Sequence, residues 1–139
     1  MLARLTKRAA FLSLVIVLAA GTLASQTAPA QNFITVDYPG GTLNEVRQIN
    51  NQGEMAGRYV DVEGVYHGFV VQNGVLKPIN FPGSLGTAVW GINDNGDLVG
   101  RYLDAKGITD HGFLLSNDVF TTIDPSGATQ TYAEGINNV

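Results

Sequence analysis

One stretch of this chain is written nearly twice. Ile49-Asn50-Asn51-Gln52-Gly53 through Gly57-Arg58-Tyr59 returns 43 residues later as Ile92-Asn93-Asp94-Asn95-Gly96 through Gly100-Arg101-Tyr102. His67-Gly68-Phe69 returns as His111-Gly112-Phe113 after 44 residues, one residue having been inserted near Asp110. Asp37-Tyr38-Pro39-Gly40 reappears as Asn80-Phe81-Pro82-Gly83 and again as Asp124-Pro125-Ser126-Gly127, and Gly91-Ile92-Asn93 reappears as Gly135-Ile136-Asn137. Two copies therefore run over 33–75 and 76–119, and a third starts at Phe120 and stops at Val139. A fixed period of this size means one small unit built repeatedly, each burying its apolar face against the next.

Within a copy the pattern predicts four short strands. In the second copy these are Leu76 to Phe81, Thr87 to Asn93, Leu98 to Leu103 and His111 to Ser116. Ala88, Trp90 and Ile92 alternate along one face of the second of these. Asp94-Asn95-Gly96 reads as a hairpin turn, because Asn and Gly accept the left-handed backbone such turns need. No stretch after residue 30 carries a 3.6-residue apolar period. Four antiparallel strands in about 43 residues match one blade of a β-propeller. The expected fold is all-β, built of tandem four-stranded antiparallel blades, two full and one partial, in an open or incomplete array. A β-solenoid and a two-sheet sandwich are the rivals. Gly57, Gly68, Gly100 and Gly112 fall inside strand patterns, where they mark close backbone approach or a bulge.

The N-terminus reads as an export signal. Arg4, Lys7 and Arg8 precede an apolar run from Ala9 to Ala20, and a small-residue segment closes on Ala28-Pro29-Ala30. The apolar run is too short for a transmembrane helix of about 20 residues. Cleavage after Ala30, with Ser25 as the second choice, assigns 1–30 to a signal peptide and 31–139 to the β-repeat domain. The expected location is secreted or periplasmic, with no membrane insertion after cleavage. Three of the eight basic residues leave with the signal and all twelve acids stay, taking the net charge from −4 to −7. So acidic a chain argues against nucleic acid as a partner, which requires a basic surface. With no cysteine, disulfides, thiolate catalysis and zinc–thiolate sites are excluded.

The repeat resembles the HAF-type extracellular repeat family, in which G-I-N-x-x-G-x-[VI]-V-G is followed, after a turn, by His-Ala-Phe or His-Gly-Phe. The matching residues are Gly91-Ile92-Asn93, Gly96, Leu98-Val99-Gly100 and His111-Gly112-Phe113, and in the first copy Ile49-Asn50, Gly53, Gly57 and His67-Gly68-Phe69. This chain has Gly where the naming tripeptide has Ala, and Gln48 replaces the leading Gly of the first copy. The resemblance covers essentially all of 33–139. It implies export, tandem repetition and a propeller-like sheet, and it carries no catalytic residues to transfer.

Candidate chemistry is sparse. His67 and His111 stand at equivalent positions with the same neighbours, which suits a repeated structural hydrogen bond better than an asymmetric catalytic site. Asp94 and Asp97 are candidates for a hard cation, but their loop is too short for an EF-hand and lacks the distal Glu, and a hairpin turn is the better reading. Asp37, Asn80 and Asp124 are expected to cap the turn after a strand, and Asn50, Asn93 and Asn137 to form Asx turns. Arg58 and Arg101 are expected to pair with Asp61, Asp104 or a neighbouring blade. Positions that change between copies suit ligand binding better than those that recur: Arg47, Trp90 and Glu134 share one such position, and Glu45, Ala88 and Tyr132 another. Trp90 is the possible ligand contact, as a platform for a sugar ring or as packing between blades. The chain has no Gly-x-Ser-x-Gly elbow, and no spacing nominates a carboxylate pair.

These features favour an exported, non-enzymatic binding or scaffolding module without a cofactor, its partner an extracellular protein or glycan. The alternatives are a fragment of a propeller-type polysaccharide hydrolase or lyase, and a truncated reading frame without independent function. Closed propellers have about four to eight blades. Two and a half copies therefore imply assembly of several chains through open sheet edges, a longer parent protein, or an open stack.

Overall fold

Residues 33–138 are described by a computed structural model of the chain. The expected signal peptide, 1–30, and its cleavage positions lie outside the described residues. In the unit Ile34–Val139 the chain forms eight strands, β1 Leu43–Ile49, β2 Met55–Val60, β3 Tyr66–Gln72, β4 Val75–Ile79, β5 Gly86–Ile92, β6 Leu98–Leu103, β7 Asp110–Ser116 and β8 Val119–Ile123. They make two antiparallel meanders, β1-β2-β3-β4 and β5-β6-β7-β8, and neither closes on itself. No helix occurs among the described residues. The fold is all-β with two open, blade-like sheets, as the repeat predicts.

The grouping of strands differs from the expected one. The strand expected to open the second copy, Leu76 to Phe81, is β4 and pairs with β3 of the first sheet, Val71 opposite Leu76. Likewise Phe120 opposes Leu115 and closes the second sheet. The reason is local: Asn73-Gly74 and Asn117-Asp118 both take left-handed backbone, Asn73 at φ 52° and Asn117 at φ 50°. Two such residues in succession form the tight turn that joins adjacent antiparallel strands. Each structural sheet therefore begins one strand later than the sequence copy.

Gly96 also has positive φ, but Asn95 does not. Asp94, Asn95 and Gly96 thus form a three-residue hairpin loop ending on a left-handed glycine, with Gly96 N–H bonded to Asn93 O at 3.1 Å. Asn93 Oδ1 accepts from the N–H groups of Asn95 and Asp97, and Asn50 does the same for Gln52 and Glu54. The Asx turns at these two positions are present.

The first strand of each sheet carries a bulge at the same place, between Val46 and Gln48 in β1 and between Val89 and Gly91 in β5. Gly57 and Gly100 lie across from these bulges. A Cβ on Gly57 would fall 1.9 Å from Glu45 O, and one on Gly100 2.0 Å from Ala88 O. The backbone can approach so closely only where no side chain exists.

The sheets pack on one another through Ala56 and Val70 of the first and Val89, Ile92, Leu98 and Phe113 of the second, all buried. Burying each Val, Ile, Leu or Phe side chain of this cluster contributes about 1.5–3 kcal/mol. A second cluster, Tyr59, Phe69 and Val71, lies on the opposite face of the first sheet under Val36 and Tyr38.

Candidate functional site

The repeated residues build seams. The ring of His67 stacks on Tyr59 at 4.9 Å, and Tyr59 stacks on Tyr38 at 3.9 Å. In the second sheet His111, Tyr102 and Phe81 stack in the same order, at 5.0 and 3.6 Å. His67 Nδ1 lies 3.0 Å from Asn80 Oδ1, and His111 Nδ1 lies 2.5 Å from Asp124 Oδ2. Asn80 and Asp124 therefore hold a histidine rather than cap a turn. His67 Nε2 also meets Asp61 Oδ2 at 2.9 Å. That bond, followed by the Val65 N–H, holds the Asp61 carboxyl below its ordinary range. Both histidines pin an outer strand to the one beside it.

The paired acids of the hairpin loop do not face one site. Asp94 reaches across the seam, its Oδ1 2.9 Å from Asn51 N and its Oδ2 2.6 Å from both Asn51 Nδ2 and Asn138 Nδ2. Asp97 turns back to Asn93 Nδ2 at 2.9 Å. Both carboxyls lie below their usual range, Asp94 chiefly through the Asn51 backbone N–H and Asp97 chiefly through the Ser116 hydroxyl. No group of three or more metal-ligating side chains occurs among the described residues. The Asn50 amide donates to Asn93 O at 3.0 Å, and the Asn93 amide to Asn137 O at 3.4 Å. The result is a polar ladder linking three copies.

The residues that change between copies converge elsewhere. Arg58 and Arg101 recur, but their acids do not. Glu45 lies directly across β1 from Arg58 and receives Nε at 2.9 Å and Nη2 at 3.2 Å. This fork, more than the neighbouring Arg47, holds the Glu45 carboxyl low. The second copy has Ala88 across from Arg101 instead, and Arg101 turns to Asp110 on β7. Neither Asp61 nor Asp104 pairs with an arginine, contrary to expectation; Asp104 accepts from the Ile108 N–H at 3.0 Å.

The exchange of Glu45 for Ala88 leaves space beside Arg101. A cleft of about 270 Å³ opens at the seam, lined by Tyr66, Leu85, Thr87, Ala88, Arg101 and Asp110 among others. Tyr66, the first-copy equivalent of Asp110, lies between two guanidinium groups, 4.7 Å from Arg58 and 5.9 Å from Arg101. Arg101 also lies 5.5 Å from the Tyr132 ring. Trp90 sits at the bulge of β5, stacked on Tyr132 at 5.6 Å, with Arg47 5.9 Å from its centroid. Its Nε1 is buried without a partner among the described residues. Tyr132 donates its hydroxyl to Asp110 Oδ2 at 3.2 Å.

Of the expected site residues, Trp90 adjoins this aromatic array and its ring meets Tyr132, while Asp94 and Asp97 lie in the polar ladder. Tyr66 and Asp110 escaped the sequence reading, although their mismatch at one repeat position is a visible signal. No protein-family model, curated protein or solved structure matches the chain.

Proposed function

We propose that the chain is an exported β-repeat binding module of the HAF type, which takes a glycan in the cleft at the seam between its sheets. The observation that carries this reading is the convergence of a repeated arginine with residues that do not repeat: the Tyr66 ring, half-open to solvent, shares one cleft with Arg101, Asp110 and Ala88. Aromatic faces receive the C–H faces of sugar rings, and a paired guanidinium and carboxylate offer hydroxyl groups both donors and acceptors. Because the charges are mutually neutralised, the cleft suits a neutral sugar better than a polyanion. Asp110 is the one carboxylate in the cleft lining, whereas glycoside cleavage ordinarily takes two. Binding without turnover is the function this supports.

The test is a titration of neutral oligosaccharides followed by backbone NMR. Shifts confined to Tyr66, Leu85 and Arg101, and lost in Tyr66→Ala with the fold intact, are expected. Shifts absent across the panel overturn the reading. Export is tested by the mass of the chain recovered from the expressing cell's envelope or medium, which should begin at Gln31.

A further inference from the structure

We propose that the open face of the first sheet docks a second copy of this chain, stacked head to tail. The inference names a partner for the scaffolding side of the proposed module. Val46 and Ile49 of β1 correspond, residue type for residue type, to Val89 and Ile92 of β5. Val89 and Ile92 are 0% and 1% exposed, because the first sheet covers them. Val46 and Ile49 are 44% and 60% exposed. The same apolar pair is core in one sheet and bare in the other. Beside it, a cleft of about 270 Å³ lined by Ile34, Val36, Met55, Val71 and Leu76 extends the apolar surface.

The molecule itself carries the matching surface. Ala56 and Val70, which cover Val89 and Ile92, have Val99 and Leu114 as their equivalents on the outward face of the second sheet. The polar edge is matched too. Asn93 donates to Asn137 O, and the Asp94 N–H donates to Asn138 Oδ1 at 2.7 Å. Ile49-Asn50-Asn51 is the same tripeptide as Ile136-Asn137-Asn138, so the end of β1 in a second copy meets the same acceptors and donors. One patch on one copy against a different patch on the next is a heterologous contact, continuous with the interface already inside the chain.

That seat is occupied within the chain by residues 131–138, whose Thr131 N–H bonds to Asp110 O at 2.9 Å. Docking therefore exchanges this segment for β1 of the incoming copy. Ile136 in the seat is half-buried, while Ile92, in the same position of a complete sheet, is fully buried. The complete sheet buries more apolar surface, which favours the exchange.

The test is sedimentation velocity through the micromolar range on the chain as the cell processes it, with Ile49→Asp and Ile136→Asp. Wild type is expected to show mass rising with concentration. Ile49→Asp should weaken assembly at least about tenfold with its thermal transition unmoved, since Ile49 is exposed in the single copy. Ile136→Asp should strengthen assembly by emptying the seat. Should Ile49→Asp not fold, Val46→Glu probes the same face. A chain that stays monomeric, in wild type and in Ile136→Asp alike, overturns the stack, whether the face then stays bare or takes another protein. Assembly indifferent to Ile49→Asp and Val46→Glu overturns it as well. A monomer that still binds oligosaccharide at Tyr66 leaves the binding reading standing and removes only the stack.

Discussion

Asp94 accepts two hydrogen bonds from Asn51 across the seam, 2.9 Å from its backbone N–H and 2.6 Å from its side-chain amide. The two residues occupy the same repeat position, so one loop is tied to its own copy. An acid between two asparagines gives the ladder a charged acceptor where three asparagines would oppose amide to amide. Charge-assisted bonds of this kind are about twice as strong as neutral ones.

Acid should destabilise the fold. Asp61, Asp94, Asp97, Asp104 and Glu45 all lose their protons more readily in the folded chain than ordinary carboxyls do. The unfolded chain therefore binds more protons, and stability declines as pH falls. The thermal midpoint should be flat above the ordinary carboxylate range of about 4 and should fall as pH drops through the lowered values. Circular dichroism melts across this range check it, and Asp94→Ala should flatten the acid limb.

Repeat position alone should not decide the cost of a core truncation. Ile92→Ala is expected to cost about 2–5 kcal/mol, because it opens a cavity between the sheets. Ile49→Ala, at the equivalent exposed position, should stay within about 0.5 kcal/mol. Urea unfolding of the two variants measures the difference directly.

Gly57→Ala and Gly100→Ala should each be among the most damaging single changes, about 3–5 kcal/mol. The new methyl would have to displace a carbonyl across the bulge, which no side-chain rotation relieves. Gly74→Ala, in an open turn with positive φ, should cost only about 1 kcal/mol. Denaturant midpoints rank the three.

A double-mutant cycle should separate the two repeated arginines. Arg101 with Asp110 is the more enclosed pair and should couple by about 1–3 kcal/mol. Arg58 with Glu45, its acid more open to water, should couple by about 0.5–1 kcal/mol. Equal couplings would contradict the asymmetry of the cleft.

Trp90→Phe should leave stability within about 1 kcal/mol of wild type, since it removes a buried unpartnered N–H along with ring volume. Trp90 is the single tryptophan, so its emission reports this seam alone. A blue shift on adding oligosaccharide would place the ligand beside the ring, and an unchanged emission would place it away.

Periodicity alone makes the strands, hairpin loops and close-approach glycines legible. It leaves the sheet phase open, because a period is unchanged by sliding its origin. Where a sheet starts depends on the left-handed pair Asn73-Gly74, which makes β3 and β4 neighbours. The arginine partners were hidden for a different reason. Asp110 lies on β7 and Glu45 on β1, so the acids are not repeat equivalents, and spacing along the chain does not report proximity across a sheet. The cleft follows from that mismatch, and copy-to-copy differences were its only trace.

The one-strand offset between copy and sheet has a consequence for how such an array changes length. A duplicated 76–119 segment would begin with the strand that completes the sheet before it and end on a tight hairpin turn awaiting the next. Every new junction would thus be hydrogen-bonded on arrival, with no loose linker for a protease to find. Tandem gene duplication or deletion in this register adds or removes whole sheets while leaving every remaining sheet four strands wide.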